Sequence, residues 1–397
     1  MTSPTRLEPT TPAALTECIM QAHAASRSLE ICGGGSKRSL RLPISADAQL
    51  DLRGLRGITN YDPEELVVTA HAGTPLAELE AALAERQQML AFEPFDHGPL
   101  LGAAAGCATL GGIIAANVSG SRRLSLGAAR DHILGFAAVS GRGEPLKGGG
   151  TVVKNVTGFD LPKLMAGSFG TLAVLASVTM RVLPRPRTEA SLIFHGLTDE
   201  AANRVMSAAL GLPAAVAAAA HVPAPQPRTA LRLEGFGPSV DARCQDLARA
   251  LAHAGTAQVL GPEASAAFWQ GVRTHEALPT ANHVLWRISV PPASGWQVAP
   301  LLAADGVHYL YDWGGALVWA AVPQLWPDAT GARIPEVART LGGHASLVRA
   351  SPAQRTAHAL RMGGAPDTEH ARLHARLKAA FDPRGILNPG LDLADGL

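Results

Sequence analysis

The sequence is poor in the residues that build the simplest functional sites. Four cysteines in 397 residues (Cys18, Cys32, Cys107 and Cys244) stand far apart with no Cys-x-x-Cys pair. That argues against a zinc ribbon or an iron–sulfur cluster held by this chain alone, and it supplies no disulfide framework. An excess of one charge is missing too, since 34 Lys and Arg against 33 Asp and Glu leave a formal charge of +1. Binding along a phosphate backbone needs a basic excess, so nucleic acid is not expected as a partner. The N-terminal residues 1–19 carry Glu8 and Glu17 and no apolar core, so no secretory signal is expected. The longest weakly polar run, 100–121, is mostly Gly, Ala, Ser, Thr and Asn, too weakly hydrophobic to span a membrane despite its length. With 47% hydrophobic and 17% charged residues, a large core can be buried in two or three domains of a reduced, cytoplasmic chain.

Glycine is what the sequence has in excess. Of 41 glycines, 15 fall within residues 100–170, about three times ordinary usage. Glycine is costly in a folded chain, so such crowding marks tight turns and backbone that approaches a ligand; a loop-rich β domain without a ligand has the same composition. Around this belt, residues 12–26 have helical spacing (Leu15, Ile19, Met20, His23) and 28–32 form a short strand. Residues 66–71 form another, and Thr74-Pro75 supplies an N-cap and N1 proline for a helix to about residue 88. Residues 133–140 and 171–183 read as strands, and Pro184-Arg185-Pro186-Arg187 as a linker. Beyond it, strand 191–196, helix 198–210, strands 214–222 and 229–235, helix 240–255 and strand 257–260 spell β-α-β-β-α-β, the ferredoxin-like order. The order recurs in 284–290, 296–302, 307–313, 316–322, 334–341 and 345–350, with a helix over 263–278 between the copies. The repeat is one of element order and not of residue identity.

Three motifs can carry chemistry. In Gly33-Gly34-Gly35-Ser36-Lys37-Arg38-Ser39, consecutive glycines after a strand let backbone N–H groups converge as a nest for phosphate oxygens. This is not a Rossmann fingerprint, because Ser39-Leu40-Arg41-Leu42-Pro43 follows and Pro43 opposes a helix; nor is it a P-loop, which needs Gly-Lys-Ser/Thr. The second motif is Ala108-Thr109-Leu110-Gly111-Gly112-Ile113-Ile114-Ala115-Ala116-Asn117-Val118-Ser119-Gly120-Ser121-Arg122-Arg123, with Gly127 and Arg130-Asp131-His132 downstream. The third is Gly150-Thr151-Val152-Val153-Lys154-Asn155-Val156-Thr157-Gly158-Phe159-Asp160-Leu161, followed by Gly167-Ser168-Phe169-Gly170. Small residues let a large flat ring lie against backbone, with amides meeting its polar edge. Each motif alone also suits a packing loop.

In this order the motifs resemble the FAD-binding domain of the vanillyl-alcohol-oxidase (PCMH-type) family. The match covers about residues 32–183 and returns in Phe381-Asp382-Pro383-Arg384-Gly385-Ile386-Leu387-Asn388-Pro389-Gly390, which is similar to the family's closing motif. The Arg122-Arg123 pair, the run from Val153 to Leu161, and Trp269-Gln270-Gly271-Val272-Arg273 resemble the branch of FAD-binding E subunits of bacterial glycolate oxidases. The resemblance implies an α+β fold: a PCMH-type FAD-binding domain of two α+β subdomains over 1–185, an antiparallel α+β cap domain with the ferredoxin-like repeat over 186–375, and a segment, 376–397, returning to the first domain. It implies that Gly33, Gly34, Gly35, Ser36, Lys37, Arg38 and Ser39 cradle the FAD pyrophosphate. It further implies that Pro94, Thr109, Leu110, Gly111, Gly112, Ala115, Asn117 and Gly120 face the cofactor, and that Lys154, Asn155, Gly158 and Asp160 lie beside the flavin. Ser36 stands where flavin-tethering relatives carry a histidine, which implies non-covalent FAD.

Candidates for acid–base chemistry are few. The metal-binding segment Gly-His-x-Gly-Asp-Gly-Asn-x-His of related D-2-hydroxy-acid dehydrogenases is missing, and no metal is expected. His344 in Gly342-Gly343-His344-Ala345 is a weak candidate, because a histidine in a turn before a strand needs no function. Arg273 and His275, on the linking helix, are weak candidates for binding a carboxylate and taking a proton. His370 and His374 have i, i+4 spacing without a third ligand; with His358 and Arg361 they fit a solvated polar helix better. Lys154 is the charge best placed to stabilise an anionic reduced ring, with a plain ion pair as its competing role. The resemblance implies a subunit whose FAD serves oxidation of glycolate, a 2-hydroxy acid, to glyoxylate. Its partners would be a second flavoprotein subunit and an iron–sulfur subunit, and it would be inactive alone and at the membrane only through that complex. The alternatives are an assembly subunit with FAD but no redox role and a self-sufficient D-2-hydroxy-acid dehydrogenase.

Overall fold

The computed structural model describes residues 5–151, 159–302, 306–326, 329, 332–362 and 369–391; Lys154, Asn155 and Gly158 lie outside them. The chain divides into two compact units: Met1–Ser119 with Ala128–Pro184 and Gly363–Leu397, and Gly120–Gly127 with Arg185–Met362. These bounds correct the sequence reading in two places. Residues 120–127 belong to the second unit, where Gly120 O accepts from Trp313 Nε1 (3.0 Å) and Ser125 Oγ donates to Ala217 O (2.9 Å). The return to the first unit begins at Gly363, not at 376. An excursion of eight residues brings no shift of composition, so no local signal marks it.

In the first unit, β1 (Thr5–Leu7), β2 (Leu29–Cys32) and β3 (Ala48–Asp51) form a parallel sheet in the order β1-β3-β2. Helix Pro12–Ala24 packs on it because Leu15, Ile19 and Ala22 share one face and are buried with Leu29, Ala48 and Leu50. Thr11 caps that helix, its hydroxyl accepting from Ala14 N (3.1 Å), and Pro12 opens it. The remaining strands are β4 (Ile58–Asp62), β5 (Val67–His71), β6 (Gln88–Met89), β7 (Ile133–Ser140), β8 (Pro145–Gly149), β9 (Ala173–Arg181) and β10 (Leu183–Pro184). Five of them make an antiparallel sheet, β4-β5-β9-β7-β8, in which central β9 is buried nearly throughout, while β6 pairs with β10. Pro184 therefore ends a strand instead of opening a linker. The closing motif returns beside β2: Leu29 N donates to Ile386 O (2.7 Å) and Asn388 N donates to Leu29 O (2.9 Å). It braces the free edge of the strand that leads into the glycine loop.

In the second unit, β11 (Thr188–His195), β12 (Ala218–Val222), β13 (Arg228–Gly235), β14 (Gln258–Leu260), β15 (His283–Ser289), β16 (His308–Asp312), β17 (Leu317–Pro323) and β18 (His344–Arg349) form one antiparallel sheet. Its order is β14-β11-β13-β12-β16-β17-β15-β18. In each half the fourth strand pairs with the first, the first with the third and the third with the second, which is the ferredoxin-like arrangement twice over. The halves meet where β12 pairs with β16. Helices Asp199–Gly211 and Gly237–Ala250 bury Val205, Met206, Val240 and Leu247 on one face with Leu192, Leu231, Trp286 and Ile288. Helix Pro262–Thr274 lies on the other face, where Trp269 and Val272 meet Ile193, Ala220 and Ala230. Among the described residues no helix is long and apolar enough to cross a membrane.

Candidate functional site

The strand β2 ends at Cys32 and delivers the chain into the glycine loop, which lies directly against residues 107–109. A Cβ built on Gly34 would stand 1.5 Å from Cys107 O, and one on Gly33 would stand 2.4 Å from Thr109 Oγ1. The first two motifs thus share one wall. Residues 108–111 are fixed in turn by an antiparallel run along 72–76: Leu76 N donates to Ala108 O (2.8 Å), Leu110 N to Thr74 O (2.9 Å) and Gly111 N to Ala72 O (2.8 Å). Thr109 caps helix Leu110–Ala115, its hydroxyl accepting from Gly112 N (3.4 Å). Thr74 does not cap the next helix as expected. Pro75 takes that position, and Thr74 Oγ1 accepts from Gly57 N (2.9 Å) and donates to Gly57 O (3.2 Å). The backbone ladder to 108–110 already sets Thr74, leaving its hydroxyl to pin Gly57.

Among the described residues, the N–H groups of Gly34, Gly35, Ser36 and Lys37 donate to no protein acceptor. Those of Leu110, Gly111 and Gly112 are all spent, as above, so the free donors are concentrated in the loop. Lys37 Nζ makes a single hydrogen bond, to Ser36 Oγ (3.3 Å). Desolvation pushes this ammonium down to about 8, with the Asp96 carboxylate opposing the shift. Asp96 is itself held by Gly98 N (2.8 Å) and Gly106 N (2.7 Å). A row of unspent amides beside a desolvated ammonium is a receptor for phosphate oxygens. Arg38 and Ser39, expected in the cradle, have their side chains engaged: Arg38 forks Glu30 (2.8 and 2.6 Å) and Ser39 Oγ donates to Leu101 O (3.1 Å).

The other expected cofactor residues fall in several places. Pro94 is buried in the stretch leading to Asp96. Ala115 O accepts from Phe169 N (2.9 Å), and Asn117, at φ 50°, accepts from Arg130 N through Oδ1 (3.1 Å), so helix Leu110–Ala115 is tied to both downstream motifs. Gly120 belongs to the second unit. Asp160 is exposed and pairs with Lys163 (2.6 Å), whose hydrogen bond holds its carboxyl below the usual range. Sequence reasoning missed Asp96 and Cys107. Asp96-His97-Gly98 carried an Asx-turn signal; Cys107 carried none, because it contributes a backbone carbonyl.

In the second unit, Arg273 and His275 are not assembled as a pair. Arg273 bonds Gln270 on its own helix. His275 ends helix Pro262–Thr274 in the left-handed region (φ 59°), buried with its ring edge-on to Trp319 at 4.1 Å. Burial, then the charges of Arg349 and Arg287, push it down to about 3, so it stays neutral at ordinary pH and is a weak base. His344 opens β18 opposite Ser289 and is lowered by desolvation and by Arg287. His358 packs edge-on against buried Trp286 (5.2 Å). Among the described residues no group of three His, Cys, Asp or Glu side chains could hold a metal ion.

A family model described as FAD binding domain matches residues 5–149. Glycolate oxidase subunit GlcE of Escherichia coli (strain K12) is 38% identical over 380 residues, covering 95% of this chain and 96% of that one. Glycolate oxidase subunit GlcD of Bacillus subtilis (strain 168) is 28% identical over 176 residues, 44% of this chain and 34% of its own length. Among solved structures, alkyldihydroxyacetonephosphate synthase superposes with a TM-score of 0.71 over 97% of this chain and 76% of that one; at 16% identity it shows the shared fold alone. The PCMH-type fold, the loop receptor for phosphate and end-to-end similarity to one relative agree: the chain belongs to the FAD-binding family of glycolate oxidase subunit GlcE.

Proposed function

We propose that this chain binds FAD without a covalent link, the pyrophosphate seated on the amides of residues 34–37 beside Lys37, and serves as one subunit of a complex that oxidises glycolate to glyoxylate. A second flavoprotein subunit and an iron–sulfur subunit complete the complex, and the isolated chain turns over little glycolate. The observation that carries the cofactor assignment is the run of unspent amides next to a desolvated ammonium whose hydrogen bond goes to a hydroxyl, Ser36 Oγ. The redox assignment rests on the relatives named for glycolate oxidation. When bound, FAD supplies the two-electron acceptor. The chain's own residues orient it through the loop and the 107–112 wall. The chain is a poor enzyme alone because His275 is a buried, weakly basic imidazole and Arg273 is turned to Gln270, so this expected pair is not assembled to take the proton of the substrate hydroxyl.

Acid precipitation should release the yellow cofactor into the supernatant; colour kept in the pellet would disprove non-covalent binding. Anaerobic stopped-flow mixing of the FAD-loaded chain with glycolate should leave its flavin band intact until the partner subunits are added. Rapid bleaching of the chain alone would instead identify a self-sufficient dehydrogenase. A flavin never reduced within the complex would identify an assembly subunit.

Lys37 makes the cofactor step pH-dependent. Its ammonium is penalised in the empty protein below about 8, and that penalty disappears as pH rises from about 8 toward the ordinary lysine value of 10.5. A phosphate beside it restores the higher value, so FAD binding takes up a proton inside this window. Affinity then weakens there by up to about tenfold per pH unit. Titration calorimetry in two buffers of different ionisation heat should detect the uptake, and Lys37→Met should abolish it. An uptake unchanged in that variant rules out Lys37 as the phosphate partner.

A further inference from the structure

The face of the second unit's sheet opposite the 199–211 and 237–250 helices carries a cation without a carboxylate. On β15, Trp286 and Ile288 belong to the core, so Arg287 and Ser289 project to the other side. Across the ladder Arg287 stands between Trp319 and Ser346, and Ser289 between Leu317 and His344. Arg287 is only 7% exposed, yet among the described residues its guanidinium bonds just one side chain, the neutral Ser289 hydroxyl (3.1 Å). It also lies over the ring of Trp313 (5.1 Å), against which Arg123 stacks too (4.4 Å). Burial and the Arg123 charge push Arg287 down to about 10.

Two other buried arginines of this unit are paired with acids. Arg122 pairs with Glu234 (2.7 Å), and Arg232 with Glu189 (2.5 Å) and Glu234 (2.7 Å). Asp312, next to Trp313, is occupied by Ser121 Oγ (2.8 Å) and Trp313 N (2.7 Å). The charged and titratable groups that interact with Arg287 are cationic or neutral: Arg123, His275 and His344. Trp313 is held at φ 50°, followed by Gly314 at 62° and Gly315 at 97°. A bulky residue in that region is strained, and such strain is retained where a site needs the side chain there. A buried, unneutralised guanidinium beside a strained aromatic ring is complementary to an external anion.

We propose that Arg287, with Ser289 and His344 across the ladder and Trp313 against it, binds the carboxylate of a small organic acid on the second unit of this chain. The planar fork fits a two-oxygen carboxylate, and the adjacent Ser289 hydroxyl offers a partner to an α-hydroxyl. The site rests on the glycolate reading only for the choice of probe: the chain binds the acid without oxidising it.

The test titrates glycolate, with inorganic phosphate alongside, into the full-length FAD-loaded chain while following thermal stability and tryptophan fluorescence. Glycolate should give saturable stabilisation and a fluorescence change, and phosphate neither. Arg287→Met should abolish both, and Arg287→Lys, which keeps the charge but loses the fork, should weaken binding at least about tenfold. Trp313→Phe should keep the stabilisation and lose most of the fluorescence change. No saturation in the unaltered chain, equal binding by Arg287→Met, or equal response to phosphate would each overturn the proposal. Flavin content of the same samples reads the cofactor assignment separately, because a chain that retains FAD but ignores glycolate refutes only the carboxylate site.

Discussion

Gly34→Val should cost the protein nearly all of its bound FAD. The substituted Cβ would stand 1.5 Å from Cys107 O, and that carbonyl cannot retreat, because Ala108 and Leu110 on either side of Thr109 are locked by hydrogen bonds to Leu76 and Thr74. The loop must therefore move away from its wall, which scatters the amides of Gly34 to Lys37 and the Lys37 ammonium. A receptor built from converging donors loses affinity steeply with such displacement. Gly33→Ala gives a graded control, since its Cβ would meet the hydroxyl of Thr109 at 2.4 Å, a side-chain atom that can rotate. The ratio of flavin to protein absorbance should fall to about a tenth or less in Gly34→Val if affinity drops about a hundredfold, or about 2.7 kcal/mol, and only partly in Gly33→Ala. Circular dichroism would show the fold retained. Full flavin content in Gly34→Val would remove the loop from the cofactor site.

Asp382→Ala should produce the largest loss of stability. The carboxylate is 1% exposed and accepts from Ile386 N (3.0 Å), Leu387 N (2.8 Å) and Lys378 Nζ (2.6 Å). Gly141 makes room for it, as a Cβ there would fall 2.3 Å from Asp382 Oδ1. Removing the acid strands two amides and leaves the Lys378 ammonium with only the carbonyls of Thr171 and Leu387. Breaking such a buried pair costs about 3–5 kcal/mol, a fall in Tm on the order of 10 °C for a unit of this size. Because residues 386–388 brace β2, flavin retention should fall at lower temperature as well. Thermal unfolding followed by flavin release and by circular dichroism measures both. A variant within about 1 kcal/mol of the parent would show that the closing motif does not brace β2.

Local chemistry carried much of this protein into its sequence. Thr11-Pro12 and the spacing of Leu15 and Ile19 specify a helix through capping and periodicity, which need only near neighbours. The β-α-β-β-α-β order of the second unit was legible twice, because alternation and amphipathicity mark each strand and helix independently. The short strands at 5–7, 48–51 and 88–89 were not, since pieces of two to four residues carry too little period to read. The helix expected over 296–302 shortened to a 3-10 turn, Pro292–Gln297, and Val298–Leu301, in a stretch where Pro291, Pro292 and Pro300 remove helix donors.

By itself the sequence determined the α+β class, the repeated half-sheets and the glycine loop as a place where backbone N–H groups converge, all consequences of residue type and spacing along the chain. The tertiary structure decided which of those groups meet. Period-two alternation says that Arg287 and Ser289 share a face, but only the sheet order reveals that Trp319, Ser346 and Trp313 surround Arg287 without an acid. The Gly33–Ser39 sequence offers donors, but only the packing of 107–109 against Gly34 leaves four amides unspent and desolvates the Lys37 ammonium near Asp96. Desolvation and charge complementarity depend on what lies within a few ångströms across space, and contacts between residues far apart in the chain leave no mark on either residue's local sequence.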